Sequence, residues 1–440
     1  MRHQPTYLSC LFTVLLVLLS AGPFAAAQVE TVLHKFTGGA DGVQPMALSE
    51  DSAGNLYGAT SMGGENPACT YYESCGIVYQ LVQSPEAGTW SENILYSFAN
   101  GSGGYTPNTA LLIDSAGNLY GANVWGGASN YGVVFELSPP AAPGGTWTES
   151  VLYNFASIEE TQVSRLAFDA QGNLYGESPG LATGGSIFEL TPPSAPGGAW
   201  THNVLYSFTG LDNAPATPLG GLAFDKNGNL YGSTFLGGSH QGCSGNSGWG
   251  TIFELAKPAT QGGARTLHVL YRFKGEDGDG AYPSGGVVFH GSKLYGTTEY
   301  GGGDQGCGYG YGSVFEVSPP TGSGGTWTET PIFSFDYNDG SGPAAGVTFD
   351  SAGNLYSTTQ SNVSSVSSGE VFELSPPVTQ GEEWTQTILH AFTGHSDGGA
   401  TLSGVVIGSH GVIYGTTVNG GNAGIAQGDG VVYKILHAQK

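Results

Sequence analysis

Positive charge is scarce in this chain. Eleven Lys and Arg stand against 35 Asp and Glu in 440 residues, a formal net charge of −24. A surface of that sign repels phosphate backbones and anionic lipid, which argues against nucleic acid and membrane surfaces as partners. Long apolar runs are confined to one place, Leu8 to Leu19, behind Arg2 and His3 and ahead of Ala25-Ala26-Ala27. That run is too short to span a bilayer comfortably and has the three-part pattern of a secretory signal peptide cleaved after Ala27. No second stretch of about 20 apolar residues follows, so export without membrane insertion is expected. The expected organisation is a signal peptide over residues 1–27 and one domain over 28–440.

Catalytic signatures are equally sparse. The chain has no H-E-x-x-H or G-x-x-x-x-G-K-[ST]. Gly301 to Gly306 matches G-x-G-x-x-G, but with 75 glycines the match is cheap, and no helix is expected behind it. The ten histidines show no metal-ligand spacing, and no metal or cofactor is expected. Of five cysteines, Cys10 leaves with the leader, and the remaining four allow three pairings in an oxidising compartment. Cys69 and Cys75 share one loop. Cys243 and Cys307 each follow Gln-Gly in adjacent repeats, so they are expected to bridge neighbouring units.

What the chain does contain is a repeat. Asn55-Leu56-Tyr57-Gly58 returns six times in close variants, with the tyrosines at 57, 120, 175, 231, 295, 356 and 414. Each unit reads as four short strands between turn signals. Strand A is an alternating run such as Gly221 to Phe224, ending in an Asp-x-x-Gly-Asn turn. Strand B is the Asn-Leu-Tyr-Gly segment, C is typified by Val134 to Leu137, and D by Trp147 to Phe155. Seven such units predict an all-β fold, a seven-bladed β-propeller of four-stranded antiparallel blades. The chain begins with a D-type strand, Glu30 to Phe36, and ends with a C-type strand, Gly430 to Ile435. The first is therefore expected to complete the last blade and so remove two exposed edges.

The units resemble the Gloeo/Verruco (GloVer) tandem repeat of secreted bacterial proteins, through G-L-x-F-D-x-x-G-N-L-Y-G-T-T, then G-x-V-F-E-L, then W-T-x-x-x-L-Y-x-F. The resemblance implies a propeller and export, and it supplies no catalytic residues. Members often carry a C-terminal anchoring segment. Here the last strand is followed only by a few residues to Lys440, so release is expected rather than attachment.

Residues repeated around a ring cannot all meet one substrate. The repeat tyrosines, the D-strand tryptophans and the carboxylates at Glu136, Glu189, Glu254, Glu316 and Glu373 therefore read as scaffold, and the turn aspartates as ligands of their own backbone. His34 and His390 replace the D-strand tyrosine and read as packing. The A-to-B and C-to-D connections lie at one end of the strands and are uniform. The B-to-C and D-to-A connections lie at the other end and vary, which is where a site belongs. Two kinds of side chain gather there: the aromatics Tyr71, Tyr72, Trp125, Tyr131, Trp249, Tyr300, Tyr309 and Tyr311, and the carboxylates Glu276, Asp277, Asp279, Glu299, Asp304, Asp336 and Asp339. The candidate ligand-binding set is Trp125, Trp249, Tyr300, Tyr309, Tyr311, Asp277, Asp279, Glu299 and Asp304. Flat rings with carboxylates beside them fit an extracellular glycan, and a monomeric binding or scaffold module is expected. A carboxylate-based polysaccharide hydrolase or lyase and a protein-interaction scaffold are the alternatives.

Overall fold

The computed structural model describes residues 29–437 except 67–68, 70–74, 85–87, 158–159, 161, 181–183, 196, 211–213, 239–247, 261–262, 277, 304–309, 323, 337, 362–367, 380 and 422–427. Seven antiparallel sheets of four strands in the order A-B-C-D form a seven-bladed β-propeller. In blades 1 and 2 strand A is broken in two, as Val43–Pro45 with Ser49–Glu50 and as Tyr105–Pro107 with Leu112–Ile113. Blade 4 shows A unbroken at Ala216–Phe224, followed by Leu230–Leu236, Thr251–Ala256 and Thr266–Arg272. No helix among the described residues is long and apolar enough to cross a membrane.

The burial pattern explains the composition of each strand. Strand B, as at Leu174–Ser178, is buried on both faces because it lies between neighbouring blades, whereas D, as at Thr201–Ser207, alternates between exposed and covered positions. Seven apolar clusters fill the ring, each joining two adjacent blades. The D-strand tryptophans belong to these seams: Trp90 meets Tyr414, Trp327 meets Tyr231 and Trp384 meets Tyr295, each on the repeat tyrosine of the blade before. The repeat glycine is a packing requirement. A Cβ on Gly176 would stand 2.3 Å from the Phe188 ring, so the strand-C aromatic can seat only over a bare backbone.

The N-terminal strand, Val29–Lys35, pairs with Val431–Leu436 as the outer strand of blade 7, with Glu30 opposite Ile435. Phe36 is fully buried beside Leu48, Leu56 and Tyr79 of blade 1 and Tyr414 and Val432 of blade 7. Thr416 Oγ1 donates to the Met46 carbonyl at 3.1 Å, and Gln44 N–H to the Asp429 carbonyl at 2.9 Å, so the last blade also meets the first through its inner strands. The A strands of all the blades surround a central channel that holds a cavity of about 250 Å³.

Candidate functional site

The A-to-B end is built from one repeated turn. In blade 2, Asp114 Oδ1 accepts the N–H groups of Ala116 and Asn118 at 2.8 and 2.9 Å, while Oδ2 accepts Asn118 Nδ2 and Tyr120 Oη at 2.8 and 3.2 Å. Asp51, Asp169 and Asp350 repeat all four bonds. Burial alone would raise the Asp114 carboxyl, but these donors outweigh it and hold the group below the ordinary range. The strand-C glutamates complete this end, Glu189 and Glu316 each accepting the repeat tyrosine at 2.7 Å. All are structural.

At the opposite end, one backbone feature recurs that sequence reading missed. The residue entering strand A is left-handed in all seven blades, and six of these are not glycine: Gln44, Thr106, Gln162, Thr217, Tyr282 and Ala400 lie at φ 54–62°, and Gly342 at 63°. Several are pinned by a bond from their N–H to the preceding blade, as in Thr217 to Gly184 at 2.7 Å and Tyr282 to Trp249 at 2.8 Å. The proline that follows packs where a Cβ on the preceding blade's glycine would be, 2.4 Å from the Pro283 Cδ at Gly250 and 2.5 Å from the Pro343 Cδ at Gly312. A residue before proline avoids the right-handed region anyway, so Gln-Pro, Thr-Pro and Tyr-Pro at this position were the available signal.

This strained entry aims Tyr282 into a row of rings between blades 4 and 5. Tyr282 stacks on Phe235 at 4.8 Å and meets Trp249 and Tyr300 edge-on at 5.2 and 5.9 Å. Trp249 is half-buried against Gly275 and the blade 4–5 cluster. Tyr300 and Tyr311 are 45% and 41% exposed. They flank a pocket of about 240 Å³ lined also by Glu299, Ser341, Gln360 and Ser361. Burial raises the Glu299 carboxyl, against hydrogen bonds from Gln360 and Tyr300. Three of the candidate residues, Glu299, Tyr300 and Tyr311, are thus brought together. Trp125 stands apart in blade 2, 37% exposed at the end of strand B. Asp279 is turned inward, 7% exposed, accepting Tyr271 Oη at 2.9 Å and Lys274 N–H at 2.8 Å. Asp277, Asp304, Tyr309, Tyr71 and Tyr72 lie outside the described residues, as does the Cys243–Cys307 pairing. Cys69 and Cys75 form the expected disulfide.

Linear spacing also hid a set of ionisable contacts in the seams, where the D-strand tyrosine of one blade meets the second residue after the D-strand tryptophan of the next. Tyr96 donates to Glu149 at 3.0 Å. The pair Tyr271 and Glu329 repeats the contact three blades on, with Asp279 joining it. At the closure, His34 Nε2 lies 3.8 Å from both Asp41 and Glu92, and His390 Nε2 lies 3.4 Å from Asp397. Ligand atoms of His34, Asp41 and Glu92 fall within 4.8 Å of one another, close enough to hold a metal. The equivalent seams, however, use tyrosine in place of histidine. The trio is therefore the histidine form of a repeated interblade contact.

Comparison with known proteins bears on fold and family. The PQQ-bound aldose sugar dehydrogenase of Streptomyces coelicolor superposes with a TM-score of 0.44 at 15% identity, over 93% of this chain and 98% of that one. PhoX of Pseudomonas fluorescens, in complex with vanadate, gives 0.45 at 10%, over 94% and 95%. PorZ of Porphyromonas gingivalis, a surface component of the type-IX secretion system, gives 0.46 at 16%, over 91% and 47%. Likeness at this level says nothing of activity. No curated protein matches the sequence. The model of the Gloeobacter/Verrucomicrobia repeat matches residues 24–244 and 177–433, together most of the chain, and the chain belongs to that repeat family.

Proposed function

We propose that this protein is an exported binding module for a neutral extracellular glycan, taken up on the B-to-C and D-to-A face at blades 5 and 6. The observation that carries the reading is the pocket in which the exposed rings of Tyr300 and Tyr311 flank Glu299 and Gln360. Flat rings offer stacking faces to sugar C–H groups, and the carboxylate and amide supply an acceptor and a donor for hydroxyls. The strong negative charge of the chain disfavours acidic polymers and leaves neutral ones as the natural class. Contact with Tyr282, itself packed on Phe235 and Trp249, fixes one side of the Tyr300 ring, which lowers the ordering cost of binding.

The test is retention on insoluble neutral polysaccharides. The unmodified protein should be retained on at least one of them. The Tyr300→Ala/Tyr311→Ala variant should bind it roughly thirtyfold more weakly, since each stacking ring is worth about 1 kcal/mol. Retention of the double variant at full strength, or no retention of the unmodified protein on any neutral polymer, overturns the reading.

A further inference from the structure

The central channel carries one residue that breaks the sevenfold pattern. Where blade 3 has Arg165, the other six A strands have Ala47, Ala110, Gly221, Gly286, Gly346 and Gly404. The same blade has Glu177 one residue past its repeat glycine, where the others have Ala, Ser or Thr. Arg165 lies across the axis of the ring. Its stem packs on blade 4, where a Cβ on Gly221 would be 2.9 Å from Cδ. Its guanidinium reaches blade 6, where a Cβ on Gly346 would be 3.4 Å from Nη1 and 3.8 Å from Nη2. The residue keeps some accessible surface, and that surface faces the channel.

Glu177 favours the Arg165 charge from a distance but forms no ion pair with it within 4.0 Å. It is fully buried and turned to the backbone, with Oε2 accepting Gly221 N–H at 2.8 Å and Oε1 without a partner among the described residues. No carboxylate among the described residues comes within 4.0 Å of the Arg165 guanidinium, and it donates no hydrogen bond to any of them. Around it the cavity is lined by Ala and Gly of the other A strands and by the edges of Leu166, Val287, Val347 and Val405, whose side chains belong to the seams between blades. A guanidinium with five donors in such surroundings is costly unless an oxyanion takes them, and its fork matches a carboxylate bidentately.

We infer that the central channel is a binding site for a small organic monocarboxylate, gripped by Arg165, with the short body of the acid lying along the Ala and Gly column. A cavity of about 250 Å³ equals the volume of roughly eight waters, which sets an upper size of about ten non-hydrogen atoms. One cation suits a singly charged acid better than sulfate or phosphate. This site is separate from the glycan pocket and does not depend on it.

The experiment is a titration of the full chain with sodium butyrate, followed by melting temperature and by calorimetry. Sodium chloride at the same ionic strength, butyramide and sodium sulfate serve as comparisons. Butyrate should raise the melting temperature of the unmodified protein with increasing concentration, as a ligand of the folded state does, and butyramide should not. Arg165→Lys keeps the buried charge but loses the fork, and should weaken the response at least tenfold. Arg165→Met with Glu177→Gln removes both charges together and should abolish it. Tyr300→Ala/Tyr311→Ala should leave it intact, so that failure here and failure of the glycan reading are distinct. No butyrate response in the unmodified protein, an undiminished response in the Arg165 variants, or a larger response to sulfate than to butyrate would each overturn the assignment.

Discussion

At the A-to-B end of the ring, Asp51, Asp114, Asp169 and Asp350 accept the same four hydrogen bonds from the same turn positions. At the D-to-A end, the loop carboxylates share one bond, from the N–H of the residue after the D-strand phenylalanine, and differ in the rest. Asp41 and Asp397 are held by Thr37 and Thr393, Asp279 by Tyr271 and Lys274, and Asp339 by the N–H of Asp336. Identical bonding at one end means that those residues answer to the fold alone. Diversity beyond the shared bond at the other means that each loop has been free to take on separate chemistry, because the scaffold beneath it does not need the rest of that loop's side chains. The same logic extends into the channel, where six small residues define the scaffold and Arg165 is the departure.

The severest way to break this comparison is to open the ring, since both ends depend on blades held at fixed spacing. Deleting residues 28–36 removes the outer strand of blade 7 and the fully buried Phe36. Burial of one such aromatic is worth about 2 to 3 kcal/mol, and six ladder positions and Val32 and Leu33 are lost with it. The melting temperature of the truncated protein should fall sharply, or the chain should fail to fold. An unchanged melting temperature would mean that the ends of the chain do not support each other.

Next in size is Asp114→Ala. Four donors lose their acceptor at once, two of them backbone N–H groups of the turn. A loss of about 2 kcal/mol in a denaturant melt is expected. A loss below about 0.5 kcal/mol would show that the turn is held by its glycine and backbone alone, and would erase the distinction between the two ends.

How much of this was legible in the sequence follows from the period. The seven blades, the order of their strands and the borrowed outer strand could be read because every unit spells them again, and the missing D strand at Leu436 matched the surplus one at Val29. The seam contacts could not, because their partners are about one period apart. Tyr96 and Glu149 are 53 residues apart and touch only once the blades stand side by side. Arg165 lies at the entry to a strand and not in a variable loop, so loop variation does not reveal it. Aligning the seven A strands at the position of Phe168 and Phe224 would have exposed it as the one long side chain in a column of Ala and Gly. Of the loop aromatics, sequence could not say which rings turn outward. Trp249 packs beneath the face while Tyr300 lies on it, and that difference is set by the left-handed entry at Tyr282.

A third, smaller effect separates the two sets of carboxylates by pH. Burial, with the neighbouring Asp397, pushes Glu30 up to about 7, and burial with Asp41 does the same to Glu92. Glu149 is raised to about 7 by burial against the Tyr96 hydrogen bond, and Glu329 to about 8 by burial and Asp279. A carboxyl whose folded value is raised binds more protons folded than unfolded. Its contribution is therefore fully present below about 4.5 and is lost as pH rises through 7 to 8. The turn aspartates run the other way, contributing above about 3.8 and failing only in strong acid. Burial lowers His34 and His390, which favours the folded state above about 6.5 and partly offsets the seam glutamates below it. The melting temperature should be higher at pH 5.5 than at pH 8. Glu329→Gln should flatten that difference by raising stability at pH 8. A melting temperature that climbs steadily from pH 5.5 to 8 would mean that the seam glutamates are solvated and ordinary.

The smallest expected effect on stability is the most telling for the loop face. Tyr300→Ala removes a ring that is nearly half exposed and touches the aromatic row only edge-on, through Tyr282. Trp249→Ala removes a ring packed on Gly275, on Tyr282 and on the cluster between blades 4 and 5. Measured side by side in denaturant, the tryptophan substitution should cost about 2 kcal/mol and the tyrosine substitution less than about 0.5 kcal/mol. Such a pair of values would show that a ring can be held in place by its neighbours yet contribute almost nothing to the fold, which is the condition a binding surface must meet. Equal losses would place Tyr300 with Trp249 in the scaffold. The variable end would then be varied only in its packing, and the pocket at Glu299 would lose the stacking face on which glycan binding depends.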